Sequence, residues 1–384
     1  MSKHIAKLFV FLLTLAAAAA VRAAHPLDIY WIDMEGGAGT LIVTPAGESV
    51  LIDTGNPGGT NTDSSAVRIH KAAVAAGVDK IDYLILTHFH IDHYGGAGDL
   101  AKLMPIGKVL DNSIPEHDSD GVTNNDARWT RSIQSYRDFK ADSRSVIQPG
   151  QVIPLKQSGD TAALTLFCVG TRKQYLIPSY VPTNTVNPVC AEAVEQVLGA
   201  PHNAKVTDAQ VAELLAKTAH DVDTTDNANS VVSLLKFGPF KFFVGGDLTW
   251  NMEGKLVCPF NPVGTVDLYQ VDHHGLNLSN NPLLVRSLAP IVTVMSNGPR
   301  KGAMPETLAT LRSVPSIQTM WQIHRNTLGG SNYNTDFQYI ANLPVQCEGN
   351  YIKCSVDPTG KSYTVSIPAT GVSKTYQTVL DRPY

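Results

Sequence analysis

The sequence predicts a mixed α/β (α+β) protein in which two halves of β-sheet stack between helices. Short apolar runs bounded by turn residues come first, and strands then alternate with helices. The second half of the chain repeats this order. A hydrophobic content of 43% with 17% charged residues is typical of a globular protein with a substantial core.

The first 23 residues have the pattern of a secretory signal peptide. Lys3 and Lys7 precede an apolar run of about a dozen residues, and Val21 and Ala23 are small residues at cleavage-site spacing. This run is too short for a comfortable membrane span, although a retained N-terminal anchor is the alternative. We therefore expect an exported protein, periplasmic or secreted, with no transmembrane segment after cleavage.

The first half of the mature chain is assigned from hydrophobic periodicity and turn residues. Gly77 is expected to end an Ala-rich helix, and the apolar run at 83–86 is expected to be a buried strand. The predicted strands are 28–34, 40–44, 49–53, 83–86, 108–110, 152–155 and 163–169, with helices at 64–76, 98–103 and 126–140.

The second half is predicted to be one continuation of the same domain. A hairpin at 230–237 and 241–244 turns at Gly238-Pro239, and strands at 266–271 and 291–296 alternate with helices, the first near 250–256. Residues 171–225 are predicted to be an insertion with helical pieces near 191–198 and 208–218, because the segment is too small for its own core. The main domain is expected at 24–340, and 341–384 is expected to be a C-terminal β-hairpin extension that turns at Asp357-Pro358-Thr359-Gly360.

The densest chemical signal is the run His88-Phe89-His90-Ile91-Asp92-His93 directly after the predicted buried strand. In an extended loop, residues i and i+2 point the same way, so His88 and His90 can bind one ion together. Asp92 and His93 fall where the chain turns into the next helix, which suits a second ion. The run therefore predicts a metal site rather than a His-rich surface loop.

Three further sites have chemically suitable residues at predicted strand ends. Asp53 is placed to hydrogen-bond a metal-ligating imidazole and set its tautomer. Asp247 follows two glycines, which lets its carboxylate project towards a position that bridges two ions. Either His273 or His274 can complete the coordination while the other faces the substrate.

The order Asp53-Thr-Gly, Thr87-His-x-His-x-Asp-His, Gly-Gly-Asp247 and His-His-Gly resembles the metallo-β-lactamase-fold hydrolases, from about residue 28 to residue 326. Within that superfamily the sequence looks closest to the ComEC/Rec2-type competence metallohydrolase domain and to phosphorylcholine esterases. Asp33-Met-Glu-Gly-Gly-Ala, Asn229-Ser-Val-Val and Ser296-Asn-Gly support this likeness. The resemblance implies a single-domain αββα sandwich with an insertion and with metals at one edge between the sheets.

The resemblance also implies the roles of individual residues. Asp92 and His274 are the expected catalytic residues, and His274 is either a ligand or a substrate contact. Asn229 and Ser230 are expected to support the ligands from the stretch 227–230, where most superfamily members place another metal-binding His. His220 in the insertion is an alternative source of that imidazole. The expected metal ligands are His88, His90, Asp92, His93, Asp247 and His273.

The expected function is metal-dependent hydrolysis by an activated water, with a phosphodiester as the substrate. Two Zn²⁺ ions are the expected cofactor, and Mn²⁺ or Fe²⁺ have compatible ligand preferences. The alternatives are β-lactamase-type or lactonase-type hydrolysis of a cyclic amide or ester, and metal binding without catalysis. The net charge of −4, which signal removal makes more negative, argues against tight non-specific nucleic-acid binding.

Five cysteines in an exported protein permit two disulfides and leave one thiol. Cys347 and Cys354 are close enough in sequence to join a C-terminal hairpin, and Cys168 with Cys190 would tie down the insertion. Sequence alone leaves this connectivity open.

Overall fold

The computed structural model describes residues 25–58, 64–121, 126–176, 186–201, 205–346 and 349–379. The predicted signal segment 1–23 lies outside these ranges. No helix within the described part of the chain is long and apolar enough to cross a membrane.

The secondary structure follows the predicted alternation, and its bounds are as follows. The strands are β1 Leu27–Trp31, β2 Thr40–Val43, β3 Ser49–Ile52, β4 Ile81–Ile85, β5 Ile106–Asp111, β6 Ser143–Val146, β7 Val152–Ile153, β8 Leu164–Thr171, β9 Gln174–Tyr175, β10 Val232–Phe237, β11 Phe240–Val244, β12 Leu268–Gln270, β13 Val292–Met295, β14 Thr319–His324, β15 Ile340–Asn342, β16 Ile352–Val356, β17 Ser362–Ile367 and β18 Val372–Gln377. The α-helices are α1 Ser65–Ala75, α2 Ile91–Tyr94, α3 Ala97–Leu100, α4 Asp126–Asp138, α5 Pro188–Leu198, α6 Asp208–Lys217, α7 Trp250–Val257, α8 Pro282–Leu288 and α9 Pro305–Ser313.

The strands form two sheets. The first has the order β18-β17-β16-β1-β2-β3-β4-β5-β6, and the second has the order β15-β14-β13-β12-β11-β10-β8-β7, with β9 paired to β8. The β3–β6 strands are parallel, and so are β11–β15. Parallel strands need covering on both faces, which explains why the chain alternates strand and helix in these two stretches.

Side-chain alternation along the strands separates three apolar layers. Val50 and Ile52 of β3 point into the layer between the two sheets, whereas Leu51 packs with α1 residues such as Ile69 on the outer face. A third layer joins the second sheet to α5–α9. The predicted αββα sandwich is therefore confirmed.

The C-terminal segment is integrated into the first sheet. The sequence predicts a hairpin there, and the structure contains the three strands β16, β17 and β18. Ile29 of β1 pairs with Cys354 of β16, so this segment continues the sheet from its first strand. The apolar side chains of β16 and β17 thereby extend the layer between the sheets.

The connectivity that the sequence leaves open is not the Cys168–Cys190 option. Cys190 at the start of α5 forms a disulfide with Cys258 at the end of α7, with 5.6 Å between their Cα atoms. Cys168 and Cys354 are buried free cysteines, and Cys347 lies outside the described residues. The disulfide therefore ties the insertion to α7, the helix that follows Asp247.

Candidate metal centre

The chemically active residues lie where parallel strands end. Asp53 follows β3, His88 follows β4, Asp247 follows β11 and His273 follows β12. Parallel strands bring their carboxyl ends to the same edge of a sheet. A backbone hydrogen bond from Val231 N to Thr87 O, 2.9 Å long, joins the two sheet edges and brings both sets of residues together.

Glycines make the close approach of the two sheets possible. Gly246 has a φ of +64°, and a Cβ there would lie 2.8 Å from Thr87 Cβ. A Cβ at Gly245 would lie 2.5 Å from a carboxylate oxygen of Asp272. Side chains at these positions would push the strand ends apart, so the two glycines before Asp247 set the width of the site.

Four donor atoms converge at this edge, from Asp92, His93, Asp247 and His274, and all lie within 4.8 Å of one another. The Asp247 Oδ2 atom is 3.2 Å from His93 Nε2 and 3.4 Å from His274 Nε2. The Asp92 Oδ2 atom is 3.6 Å from His93 Nε2 and 3.2 Å from His274 Nε2, and the two imidazole nitrogens are 3.3 Å apart. Nitrogen and oxygen ligands of a tetrahedral zinc ion are roughly 3.3–3.6 Å apart, since each is roughly 2.0–2.2 Å from the metal.

Hydrogen bonds on the far side of two imidazoles fix which nitrogen faces this cluster. His93 Nδ1 donates to Asp53 Oδ2 at 2.8 Å, and His274 Nδ1 donates to the Ser296 carbonyl at 2.9 Å. Asp53 also accepts the Thr87 N–H and hydroxyl, both at 2.8 Å. With Nδ1 protonated, each Nε2 presents its lone pair to the cluster, which is the arrangement that metal ligation requires.

His88 points towards the same cluster but is not satisfied within the protein. Its side chain is completely buried, and its Nε2 atom has no hydrogen-bond partner among the described residues. The nearest carboxylate oxygen, Asp247 Oδ2, is 3.9 Å away. A buried imidazole nitrogen without a partner is costly, and a metal ion would satisfy it.

His90 lies at the edge of the site. Its Nε2 donates to the Ser119 carbonyl at 3.1 Å and is 3.5 Å from Asp120 Oδ1, and its ring centre is 4.8 Å from that of His88. The structure thus brings His90 beside His88 but outside the cluster of four. The Nε2 atom of His90 therefore faces Ser119 and Asp120 instead of the cluster.

Residues 35–149 match the model of the Metallo-beta-lactamase superfamily. The matched segment contains Asp53 and the whole run 88–93. This segment of the chain matches a metallo-beta-lactamase superfamily domain.

Curated relatives and solved structures are similar to parts of the chain. A UPF0173 metal-dependent hydrolase of Polynucleobacter asymbioticus is 37% identical over 86 residues, which is 22% of this chain and 27% of that protein. An atrochrysone carboxyl ACP thioesterase of Aspergillus terreus is 36% identical over 83 residues, 22% of this chain and 23% of that protein. The chain thus spans about a quarter of the length of each relative. The metallo-beta-lactamase fold protein YhfI of Bacillus subtilis has a TM-score of 0.39 at 14% identity, with 78% of this chain and 98% of that chain covered.

The two neighbouring histidines at the end of β12 differ in position. His274 belongs to the cluster of four, whereas His273 Nε2 is 3.5 Å from Asp247 Oδ2 and His273 Nδ1 is 3.1 Å from Ser279 Oγ. The φ angles of these residues are +52° for His273 and +56° for His274. This rare backbone conformation turns both rings towards the strand edge.

Within the stretch 227–230, Ser230 contacts a residue of the cluster and Asn229 contacts Asp226. Ser230 Oγ accepts the Asp247 N–H at 3.2 Å, and Asn229 donates to Asp226 Oδ1 at 3.0 Å. His220 lies elsewhere: its ring stacks on Trp250 with 3.9 Å between ring centres. The imidazole of His220 is therefore not part of this cluster.

Two functional residues have no local sequence signal. Asp226 Oδ2 accepts the Phe89 N–H at 2.8 Å and an Asn112 amide proton at 3.1 Å, so it holds the backbone between His88 and His90. Lys301 donates a hydrogen bond to Asp92 Oδ2 and forms an ion pair with it. Both contacts join residues that are far apart in sequence, so no local pattern could have suggested them.

The charges of the cluster suit a cation. Burial alone would raise the pKa of Asp92 and of Asp247, but His93 and His274, helped by Lys301 at Asp92, outweigh it and hold both pKa values well below the ordinary range. Burial and His93 lower the pKa of His88, so this imidazole is neutral. The carboxylates of Asp247 and Asp92 in turn outweigh burial and raise the pKa of His93 and of His274, so a metal ion that binds here would displace protons from these two imidazoles.

Proposed function

We propose that the protein is an exported metal-dependent hydrolase that cleaves a phosphodiester with water. The observation that carries the proposal is that the Nε2 atoms of His93 and His274 lie 3.2–3.6 Å from each other and from a carboxylate oxygen of Asp92 and of Asp247, a spacing typical of ligands around one zinc ion. The unpartnered Nε2 of buried His88 adds a donor on the adjacent side. The residues therefore fit the group that the superfamily implies.

Nitrogen and carboxylate donors favour zinc, with manganese or iron as alternatives. Asp92, His93, Asp247 and His274 would hold the metal, and the unpartnered Nε2 of His88 would offer a further donor beside them. Bound divalent ions supply Lewis acidity and lower the pKa of a coordinated water towards neutrality.

The protein residues supply orientation and proton transfer. Asp92 is partly accessible, with 16% of its side chain exposed, so its carboxylate can orient the attacking water and accept its proton. His274 is 1% exposed and is held by Ser296 O, so its position is fixed during the reaction. Positioned donors beside the reacting centre stabilise the charge that develops in the transition state.

A relative's name and the sequence motifs support the class of reaction. The Polynucleobacter relative is a metal-dependent hydrolase by name, and its similarity supports the same chemistry here. Two parts of the proposal rest on sequence motifs alone: the phosphodiester substrate and the likeness to the ComEC/Rec2-type metallohydrolase domain. Hydrolysis of a lactam or lactone and metal binding without turnover are the competing functions.

Export is part of the proposal and has a structural argument of its own. The Cys190–Cys258 disulfide suits an oxidising compartment such as the periplasm or the extracellular medium. Fractionation of expressing cells, with N-terminal sequencing of the product, tests it. Recovery of the chain from the cytoplasm with residues 1–23 attached would contradict export.

The activity is tested with purified, zinc-loaded protein on bis(p-nitrophenyl) phosphate and on nitrocefin. We expect turnover of the phosphodiester, lost in His93→Ala and retained in the exposed control Lys255→Met. Turnover of nitrocefin alone favours the lactamase-type function. Stoichiometric metal without turnover of either substrate would favour a binding protein.

A further inference from the structure

Lys301 is the cation that touches the metal-ligand cluster. Its ammonium group contacts Asp92 Oδ2 although 209 residues separate the two in sequence. The Lys301 side chain is 38% exposed, whereas the cluster histidines His93 and His274 are at most 1% exposed. The ammonium group therefore lies at the mouth of the site, where the buried donors meet solvent.

The loop around Lys301 is fixed on both sides. The Gly298 N–H donates to the Lys301 carbonyl at 2.9 Å, and the Ala303 N–H donates to the His274 carbonyl at 3.0 Å. On the other side, Gly36 has a φ of +104°, and a Cβ there would lie 3.2 Å from Lys301 Cβ. Close packing of this kind holds the lysine stem in place, so the position of its charge is set by the fold.

The ion pair between Lys301 and Asp92 indicates which ligand the ammonium group can bind. In the absence of a cation it pairs with Asp92, the carboxylate at the mouth of the site. A metal ion bound by Asp92 would compete with Lys301 for that carboxylate. The ammonium group of Lys301 could then bind another anion. A partly exposed ammonium group beside a reacting centre binds an anionic oxygen more strongly than a neutral one.

We propose that Lys301 binds a negatively charged non-bridging oxygen of the substrate and so selects anionic phosphoesters over neutral esters. The proposal rests on the proposed hydrolase function and names its substrate class. No covalent step passes through Lys301, which acts by charge and position. A neutral lactone or ester would gain nothing from this contact.

The experiment compares the wild-type chain with Lys301→Met, Lys301→Arg and the exposed control Lys255→Met, all loaded with zinc. Three quantities are measured: zinc content per chain by elemental analysis, the Kd of inorganic phosphate by calorimetry, and kcat and KM on bis(p-nitrophenyl) phosphate and on neutral p-nitrophenyl acetate. Loss of one charge-assisted hydrogen bond weakens binding by about tenfold or more.

We expect Lys301→Met to keep its zinc, to bind phosphate about tenfold more weakly and to raise the KM for the anionic ester by a similar factor. The KM for the neutral ester should not change, and Lys301→Arg should recover most of the phosphate binding. An unchanged phosphate Kd in Lys301→Met overturns the proposal. Loss of zinc, or an equal effect on both esters, also overturns it, because Lys301 would then only support Asp92. The phosphate titration decides even if neither ester is hydrolysed, so failure here is distinct from failure of the hydrolase proposal.

Discussion

The carboxylate of Asp53 lies 2.8 Å from Nδ1 of His93 and ties the end of one strand to the metal-binding run that follows the next. Asp53 is 1% exposed and has a φ of +61°, a conformation that only Gly, Asn and Asp adopt readily. Its two oxygens also hold Thr87, the residue before His88. One side chain thus sets both the tautomer of His93 and the start of the loop.

Asp53→Asn should weaken metal binding without unfolding the protein. Asn tolerates the same backbone conformation, but it removes the negative charge that favours Nδ1 protonation of His93. We expect the zinc Kd to rise about 10- to 100-fold, as measured by competition with a chromogenic chelator. The exposed Asp160→Asn serves as control, and an unchanged Kd in Asp53→Asn would show that the tautomer is set elsewhere.

Asp226→Ala should loosen the loop between His88 and His90. The Phe89 N–H and the Asn112 amide would lose their acceptor in a buried site, which costs about 1–3 kcal/mol of stability. We expect Asp226→Ala to have a lower urea midpoint and weaker zinc binding than the wild type. Asp226→Asn keeps one acceptor oxygen, so its urea midpoint and zinc affinity should lie between those of the wild type and the alanine variant. Equal stability of the alanine variant and the wild type would refute this role.

Asp226 and Lys301 illustrate what the sequence could not predict. The run 88–93 was recognisable because its ligands are neighbours in the chain, and the strand-end positions of Asp53 and Asp247 followed from turn residues. Lys301 is a single lysine in a loop, and Asp226 is a single aspartate in the insertion boundary. Their roles arise only when the two sheets pack, and no local periodicity records such a contact.

The last motif shows the same limit at finer scale. The sequence placed His273 and His274 at a strand end but could not orient their rings. Which ring enters the cluster depends on two consecutive positive φ angles and on the Ser296 carbonyl, and both are set by tertiary packing. The fold class was easier to predict, since alternation of apolar side chains along β3 and its neighbours is a local property.

The buried carboxyl groups of Glu253 and Asp272 should make stability depend on pH. Burial raises the pKa of Glu253 to about 7, and burial together with Glu253 raises that of Asp272. An acid with a raised pKa binds more protons in the folded state than in the unfolded state, so its contribution is present below the unfolded pKa and is lost as pH rises through the folded value.

Between pH 5 and pH 8, metal-free wild-type protein should therefore lose stability relative to Glu253→Gln, by about 1–3 kcal/mol. Urea unfolding of both proteins in the presence of a chelator measures this difference. The comparison cancels the titration of the histidines, which both proteins share. If the free energies of unfolding of the two proteins changed with pH in the same way, the raised pKa of Glu253 would be contradicted.

The Cys190–Cys258 disulfide closes a loop of 68 residues between the insertion and α7. The Cys190→Ser/Cys258→Ser double variant should lose about 2–4 kcal/mol of stability, because its unfolded chain is less constrained. Thermal unfolding with and without dithiothreitol provides the control, since the reductant should lower the Tm of the wild type only. A reductant-insensitive wild type would argue against the bond.

Zinc titration of the metal-free protein in a calorimeter near neutral pH tests the metal centre itself. We expect the wild type to bind about two ions per chain, His88→Ala to bind about one, and His93→Ala to lose the tighter site. Absence of binding to the wild type, or unchanged stoichiometry and affinity in both variants, would contradict a metal centre at this edge of the sheets.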